Sequence, residues 1–530
     1  MMATPTRVTN PPEDFKIIFV DRILDSVHGY IELTQIERKI IELPIFKRLQ
    51  SIKQLSLVNW VFPGAEHTRY SHSLGVMYLA DKMATQLEYF DGDRQLVRLA
   101  GLLHDIGHFP LSHVGESSYE LSTKVENNFI ERHIEKTLKK VQGVVSAPSL
   151  IHRKPVNPYH HEDIGARLIE SSDEIKRLLD RYCPFIDRSN ICAIITGKYQ
   201  ENSKLSAMVQ LLHSELDADR LDYLLRDAST SGTSYGVDTG VIIKNLDWAN
   251  QGDVDIVGIK PKGISATDQF LLNRFFSLSQ IVCNRHVAAL EFMCEAIIRH
   301  VARKEDFGFP PIGSRFLNYI NQYESDPTFL RFTDHLFWNA VYALDAGEKT
   351  IKYPEFIFEF AHMLTQHREI KTIADAELTC SGFEYDKLLS AILASPPYNR
   401  LNSNDKARFR QFDEGYIKPQ DELGNFLVQR FHSVNLTENI PENKYEEQFK
   451  NQFETRNGSI NADNIKQKME SYKTYRLQDG IAVIDKKEKD ADVHLLVDDD
   501  RSLIKSVYPL KLAILREYSI GTSDDEQNSI

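Results

Sequence analysis

The stretch LLHDIGHFPLSH, residues 102–113, carries three histidines and one aspartate behind a strongly apolar lead-in. Residues 94–107 have the apolar spacing of a helix that buries one face. His104 and Asp105 therefore lie at the end of a predicted helix, and His108, one turn later, shares the face of His104. These polar side chains are either tolerated at a helix end or belong to an active site.

The same stretch also ends its helix. Gly107 and Pro110 break the helical pattern, and His113 follows them in the exit segment. A single histidine at a helix end usually interacts with the helix dipole or has an ordinary hydrogen-bond partner. The stretch therefore indicates a site only if other segments supply partners.

The segment HSELDADRLDYLLRD, residues 213–227, also has helical spacing. Asp219, Tyr223 and Asp227 fall at positions i, i+4 and i+8, so they line one face, and Arg220 lies beside them. A helix that faces a core would carry apolar residues there, because unpaired buried charge is costly. This row of polar side chains therefore indicates a groove that contains water or a metal ion.

A further segment, EHTRYSHSLG at residues 66–75, leads into a helix and carries His72. Together, His72, His104, Asp105 and Asp219 offer imidazole nitrogens and carboxylate oxygens, which suit a divalent metal ion. Four protein ligands leave room for water and a phosphate oxygen if the ion is five- or six-coordinate. Helices in a bundle can bring such distant residues to one point.

The composition is that of a folded globular protein, with 42% hydrophobic and 26% charged residues among 530. A formal net charge of −13 argues against nonspecific binding to nucleic acid, which needs many basic contacts to phosphate. Five cysteines without a CxxC pair argue against a disulfide framework. The N-terminus resembles no secretory signal, and no apolar run reaches the ~18 residues of a membrane helix. We therefore expect a cytoplasmic protein without a membrane partner.

Periodicity predicts a mainly α fold, a helical bundle with a smaller α+β C-terminal region. Amphipathic stretches with helical spacing are found at residues 161–182 and 207–228, and one long, mostly buried helix is predicted for residues 266–304. Strands are predicted for residues 480–485, 493–497 and 510–518. The predicted division is an N-terminal extension (1–20), a core (21–304), a helical C-terminal lobe (305–424), a small α+β region (425–520) and a disordered tail (521–530).

Six segments together resemble a known family. In chain order they are DSVHGYIEL (25–33), FKRLQSIKQL (46–55), VFPGAEHTRYSHSLGV (61–76), LAGLLHDIGHFPLSH (99–113), HHEDIGARLI (160–169) and LDADRLDYLLRD (216–227). Their order of H, HD and D is typical of the HD superfamily of metal-dependent phosphohydrolases. The match extends to the deoxynucleoside triphosphate (dNTP) triphosphohydrolases, both the bacterial dGTPase-like enzymes and the vertebrate enzyme with an N-terminal SAM domain. It covers roughly residues 17–300, and no SAM domain fits before residue 20.

The resemblance implies an HD-domain core with assigned site residues. The implied ligands of a divalent metal ion (Mg, Mn, Fe, Co or Zn) are His72, His104, Asp105 and Asp219. The implied catalytic residues are His113, Glu116 and His161. Contacts with the triphosphate are implied for Arg69, His108, Arg220, Tyr223 and Arg274, and contacts with the sugar 3′-hydroxyl for Gln54 and Asp227.

The implied reaction is metal-dependent hydrolysis of a dNTP to a deoxynucleoside and inorganic triphosphate. The resemblance further implies a nucleotide activator acting allosterically and a homo-oligomer, a tetramer or a hexamer. It implies a role in control of the dNTP pool or in antiviral defence. Nucleic acid is not an expected partner.

Two departures from the vertebrate enzyme affect specificity and regulation. Val282 occupies the position of a tyrosine that packs under the sugar and helps to exclude ribonucleotides. Leu24 and Gln50 replace the asparagine and arginine of the allosteric guanine site, whereas Glu42 keeps a carboxylate. We therefore expect activation by GTP to be absent or changed to another nucleotide.

Two other functions stay open. A phosphodiesterase or a nucleotidase would use the same metal ligands, but it needs fewer cations than Arg69, Arg220 and Arg274 provide. A non-catalytic nucleotide sensor would bind without turnover, and the pairing of His113 with Glu116 argues against it because such a pair suits proton transfer.

Overall fold

The computed structural model describes residues 7–120, 159–198, 205–251, 254–324, 327–347, 353–381, 415–416, 425–430, 480–487, 490–507 and 510–519. The predicted tail at 521–530 lies outside these residues. None of the helices within them has both the length and the apolar character needed to cross a bilayer.

The fold is mainly α, as predicted. Within the described residues, the helices are α1 (Gln35–Glu42), α2 (Pro44–Lys47), α3 (Arg69–Gln86), α4 (Asp91–Leu103), α5 (113–120), α6 (His161–Ser171), α7 (Asp173–Tyr182), α8 (Arg188–Thr196), α9 (Ser206–Gln210), α10 (Ala218–Ser231), α11 (Thr239–Lys244), α12 (Ile264–Ser277), α13 (Arg285–Lys304), α14 (Ser314–Asn321), α15 (Asp334–Asp345), α16 (Glu355–Thr365) and α17 (Ile504–Val507). The strands are β1 (Phe19–Asp25), β2 (Gly29–Thr34), β3 (Leu246–Gln251), β4 (Val254–Ile259), β5 (Lys371–Ser381), β6 (Gly415–Tyr416), β7 (Asn425–Arg430), β8 (Ala482–Lys487), β9 (Asp490–Leu495) and β10 (Leu510–Ser519).

Helix α3 forms the centre of the bundle, because it packs against both α4 and α10. Its contact with α4 is close at Gly101, where an added Cβ would lie 3.1 Å from the Cα of Met77. The apolar residues that precede the HD pair, Leu102 and Leu103, are fully buried. The three segments predicted to carry metal ligands therefore meet within a rigid part of the core.

The prediction of one helix over residues 266–304 is wrong. A π-helical turn, Leu278–Val282, separates α12 from α13. The side chain of Asn284 then accepts a hydrogen bond of 3.0 Å from the backbone N–H of His286 and so caps the start of α13. The apolar spacing continues through the break between α12 and α13. It therefore does not reveal the helix cap, which depends on one polar side chain.

Side-chain caps also begin new helices within the amphipathic stretches at residues 161–182 and 207–228. Ser172 accepts a hydrogen bond of 3.0 Å from an amide in the first turn of α7. Asp217 accepts one of 2.7 Å from an amide in the first turn of α10. Helix α10 therefore starts one residue before Asp219, which places that carboxylate in its first turn.

The strands form three sheets, with orders β1-β2, β5-β10-β7-β6 and β3-β4-β8-β9. The strands predicted near the C-terminus are present as β8, β9 and β10, displaced by up to three residues. Strand β8 pairs in parallel with β4, which belongs to the predicted core. The domain boundaries given above stay predictions.

Candidate metal centre and active site

The four predicted metal ligands lie together where α3, α4 and α10 meet. The Nε2 atom of His72 lies 2.9 Å from Oδ1 of Asp219 and 3.8 Å from Oδ2 of Asp105. The Nε2 atom of His104 lies 3.3 Å from Oδ1 of Asp105 and 4.0 Å from Oδ1 of Asp219. The Asp219 side chain is 37% exposed, which gives this otherwise buried group an opening to solvent.

The second nitrogen of each ring fixes the orientation of the ring. Nδ1 of His104 lies 2.8 Å from the carbonyl oxygen of Gly101, and Nδ1 of His72 lies 2.8 Å from Oδ2 of Asp222. Because both partners are acceptors, each Nδ1 carries a proton, and Nε2 is the atom left to bind a metal ion. Both Nε2 atoms are buried and face carboxylate oxygens, at 2.9 Å for His72 and 3.3 Å for His104. Two such nitrogens facing two carboxylates fit a divalent cation.

Charge supports the same interpretation. Burial acts to lower the pKa of His72, but the carboxylates of Asp219 and Asp222 outweigh it and raise the pKa to about 10. Burial acts to raise the pKa of Asp105, but Arg69 and the neighbouring histidines lower it to about 2. The carboxylates therefore stay ionised and attract positive charge, which a bound metal ion would supply in place of the proton on His72.

A buried network holds His72 from behind. Asp222 accepts hydrogen bonds of 2.9 Å from both Nε and Nη2 of Arg226, and its Oδ1 lies 2.6 Å from Nε2 of His28. Arg226 also donates a bond of 2.8 Å to Asp25. Carboxylates that bind the second nitrogen of a metal-ligating histidine orient the ring and raise its basicity. The network thus connects the β1–β2 hairpin to a predicted metal ligand.

Gly75 makes this packing possible. A Cβ at Gly75 would lie 1.8 Å from Oδ1 of Asp222 and 2.5 Å from Nη2 of Arg226. No side chain fits between α3 and α10 at this point, so a glycine on α3 lets the network reach His72.

The three predicted catalytic residues form a second group. Oε2 of Glu116 lies 3.0 Å from Nδ1 of His113 and 3.1 Å from Nδ1 of His161. Burial acts to raise the pKa of Glu116, but His161 and His113 hold it well below its usual range. Burial acts to lower the pKa of His161, but Glu116 raises it to about 9. At neutral pH the Glu116–His161 pair is therefore a carboxylate and an imidazolium, while His113, with a side chain 68% exposed, reaches solvent.

Asp105 lies between the two groups. Its Oδ1 is 3.9 Å from Nε2 of His161 and 3.4 Å from Nε2 of His108. His108 is fully buried, stacks on His161 with ring centroids 4.0 Å apart, and has no hydrogen-bond partner for either ring nitrogen in the described part of the chain. Burial and the charge of Arg69 lower the pKa of His108 well below its usual value, so its ring is neutral.

The other residues predicted to contact phosphate are bound to protein groups in this structure. Arg69 donates a bond of 2.9 Å to Asp105. Arg220 donates to the carboxylate of Asp217, and Arg274 donates to that of Glu215. Tyr223 lies near both Arg220 and Arg274, whose charges act on its hydroxyl.

The two residues predicted to contact the sugar meet at His67. The backbone N–H of Gln54 donates to the carbonyl of His67 at 3.0 Å, and Nε2 of His67 lies 2.9 Å from Oδ1 of Asp227. Oε1 of Gln54 is buried without a hydrogen-bond partner in the portion of the chain described, so it is an acceptor that a ligand hydroxyl would satisfy.

Sequence reasoning missed several of these residues. Asp222 and Arg226 sit at i and i+4 on α10, a spacing that could have revealed them as an ion pair. Glu215 and Asp217 could have been found as partners for the two arginines. Nothing in the sequence singles out His67, because its function depends on a residue far along the chain.

The positions that depart from the vertebrate enzyme lie mostly on the surface. Leu24 on β1 is 68% exposed, and Gln50 is also exposed. Glu42 is exposed and paired with Lys39 at 2.9 Å. Val282 is half-buried at the end of the π-helical turn.

The chain matches the model of the HD domain family over residues 69–227, a range that contains all four predicted metal ligands. It is 30% identical over 284 residues to an uncharacterized protein of Methanocaldococcus jannaschii, spanning 53% of this chain and 50% of that protein. It is 27% identical over 450 residues to an uncharacterized protein of Mycoplasma pneumoniae, spanning 80% and 93%. It is 27% identical over 330 residues to the deoxynucleoside triphosphate triphosphohydrolase SAMHD1 of Gallus gallus, spanning 59% and 50%. The matches to the first and third of these relatives thus cover only half the length of each relative.

Two solved structures share the fold. A phosphohydrolase from Bacteroides thetaiotaomicron superposes with a TM-score of 0.56 at 21% identity, over 94% of this chain and 99% of that one. A hypothetical protein from Aquifex aeolicus superposes with a TM-score of 0.57 at 21% identity, over 94% and 96%. At this identity the likeness concerns the fold alone.

Proposed function

We propose that this chain hydrolyses dNTPs to deoxynucleosides and inorganic triphosphate, as its match to the HD domain family and its similarity to a deoxynucleoside triphosphate triphosphohydrolase suggest. One observation carries this proposal: Asp105 is shared between the group of metal ligands and the group around Glu116. A phosphate bound beside Asp105 would contact both the metal site and the proton-transfer residues. A divalent ion bound by His72, His104, Asp105 and Asp219 supplies Lewis-acid activation of that phosphate.

The protein residues then supply the proton chemistry. In the proposed reaction, the oxygen of a water molecule bonds to the α-phosphorus, the bond from phosphorus to the 5′-oxygen breaks, and the 5′-oxygen takes up a proton. His161, with a pKa raised to about 9 by Glu116, is protonated at neutral pH and suits the donor. His113, bonded to the same carboxylate and exposed to solvent, suits the exchange of protons with water.

The test is to incubate purified protein with each dNTP, alone and in pairs, in the presence of Mg, Mn, Fe, Co or Zn. We expect inorganic triphosphate and deoxynucleoside in equal amounts. His104→Ala should abolish turnover and lower the bound metal while the circular dichroism spectrum stays unchanged. His362→Ala, which removes a half-exposed histidine of α16, serves as the matched control. Release of pyrophosphate or of a monophosphate would reject the triphosphohydrolase assignment.

A phosphodiesterase or a nucleotidase is the second candidate, and the ion pairs of Arg220 and Arg274 favour it. Both guanidinium groups are already bound to carboxylates, so they offer less charge to a polyphosphate than free arginines would. Cyclic nucleotides and monophosphates in the same panel discriminate between the two candidates. Tight dNTP binding without turnover in every metal would instead indicate a nucleotide sensor. The activator, the oligomer and the biological role stay predictions of the family resemblance.

A further inference from the structure

The segment that leads into His113 contains an uncommon backbone conformation. Leu111 and Ser112, immediately before His113, have φ angles of 55° each. Residues other than glycine rarely adopt this left-handed region, and two in succession must be held by their surroundings. Both residues are buried, so the holding contacts come from the protein and not from solvent.

One carboxylate outside the matched HD range provides these contacts. Asp334, the first residue of α15, accepts a hydrogen bond of 2.7 Å from the backbone N–H of Leu111 through Oδ1. Its Oδ2 accepts a bond of 2.9 Å from the backbone N–H of Lys53. The carboxylate is buried, so neither amide has water as an alternative acceptor. Asp334 thus joins the loop before His113 to the loop before Gln54.

Ser112 makes a further contact between these two loops and also links them to the predicted metal ligands through Arg69. Its hydroxyl donates to the carbonyl oxygen of Lys53 at 2.6 Å and accepts a bond of 2.9 Å from Nε of Arg69. Arg69 in turn donates to Asp105 at 2.9 Å. A continuous series of hydrogen bonds therefore runs from Asp334 through the strained turn to Asp105.

A second buried side chain, that of Arg48, ties the HD segment to the residues just before α15. Arg48 donates bonds of 2.8 Å to the carbonyl oxygens of Ile106 and His108, and one of 2.6 Å to that of Phe332. The residues just before α15 are therefore tied to the HD turn as well as to the turn at Leu111. Because Asp334 and Arg48 hold it from two sides, the HD segment has little freedom to move independently of α15.

From these contacts we infer that Asp334 is a positioning residue, which holds the Leu111–Ser112 turn so that His113 and Arg69 face the phosphate. The inference rests on the proposed function for what the positioned residues do, but the hydrogen bonds exist whatever the substrate. The hydrogen bonds of Asp334 go to the backbone amides of Leu111 and Lys53 and to none of the predicted metal ligands. Its replacement should therefore change catalysis without changing metal content.

The experiment compares Asp334→Asn with Asp345→Asn in the full chain. Asp345 lies at the other end of α15 and also accepts two side-chain bonds, from Thr365 at 2.7 Å and His362 at 2.8 Å, but it has no contact with the turn. Asp334→Asn keeps the shape and one acceptor oxygen, and its amide group turns a donor toward a backbone N–H. We expect kcat to fall about a hundredfold, the usual order for a displacement near 1 Å, while KM changes by no more than about threefold. Asp345→Asn should leave both constants unchanged.

Two further measurements separate positioning from loss of structure and from failure of the proposed function. In Asp334→Asn, bound metal should stay near wild type and the circular dichroism spectrum should show a folded protein, while amide hydrogen exchange should accelerate in residues 106–115 only in that variant. If wild type hydrolyses no dNTP, the proposed function fails, and exchange at 106–115 still decides whether Asp334 holds the turn. Unchanged exchange, an unchanged kcat, or a loss of kcat that follows a loss of metal would each overturn the inference.

Discussion

The histidines of this site form two groups that differ in what their second ring nitrogen meets. In the group of predicted metal ligands, His72 and His104 each bind a separate acceptor through Nδ1, the carboxylate of Asp222 and the carbonyl of Gly101, and turn Nε2 toward Asp219 and Asp105. In the other group, His113 and His161 bind the same carboxylate, Glu116. All four residues are histidines, so the two groups differ only in the protein groups that surround the rings.

Separate acceptors and a shared acceptor favour different chemistry. A ring held by its own acceptor has one fixed tautomer and a lone pair in a fixed direction, as a metal ligand requires. Two rings on one carboxylate stabilise a proton between them, as the raised pKa of His161 indicates. The division predicts that variants in one group change metal binding and variants in the other change proton transfer.

The largest effect is expected for Glu116→Gln. The amide cannot stabilise an imidazolium, so the pKa of His161 falls and its ring loses the proton that the reaction needs. We expect kcat to fall by about 10²–10⁴, the range for loss of general acid–base catalysis, with bound metal unchanged. Steady-state kinetics and elemental analysis of the purified protein measure the two quantities.

The matched control for that variant is Glu359→Gln, on an exposed position of α16. It should leave both kcat and metal content at the wild-type level. If Glu116→Gln lost metal as well as turnover, the two groups would be one functional unit and the division would be wrong.

A smaller effect on the opposite property is expected for Asp222→Asn. His72 would lose its charged acceptor, and Arg226 would keep only Asp25 as an ionic partner. Loss of such an outer contact typically lowers metal affinity by about 10–100-fold. Titration of the metal-free protein measures the affinity, and Asp180→Asn, on an exposed position of α7, is the control. If kcat at saturating metal fell while metal affinity stayed at the wild-type level, Asp222 would act in catalysis and not in metal binding. The predicted division between the two groups would then be wrong.

Much of the metal group could be predicted from the sequence, because helical spacing alone puts Asp219 on one face of α10 and His104 at the end of α4. The support behind it could not be predicted. His28 reaches Asp222, and Asp25 reaches Arg226, through tertiary packing between the N-terminal hairpin and α10. No local pattern records such a contact.

Helix boundaries show the same limit. The apolar period continues through Asn284, so the sequence favours one long helix where the structure has two. The break depends on a single side-chain cap, and Asn, Ser and Asp occur in many positions that do not cap a helix. Asp334 was missed for a related reason, because its two partners are backbone amides that any residue could supply.

The smallest expected effect tests where the Glu116 group ends. His160 precedes His161, and its Nδ1 lies 3.5 Å from Oε1 of Glu116 and 3.2 Å from Oε2 of Glu162, with a side chain 25% exposed. Its distance to Glu116 exceeds that of a direct hydrogen bond, so it shares the charge of that carboxylate only weakly. We expect His160→Gln to change kcat by no more than about threefold, whereas His161→Gln lowers it by about a hundredfold or more. Parallel kinetics on the two variants measure the difference. If both variants lost kcat equally, all three histidines around Glu116 would take part in proton transfer. The function would then not be confined to His113 and His161, the pair that hydrogen-bonds to Glu116.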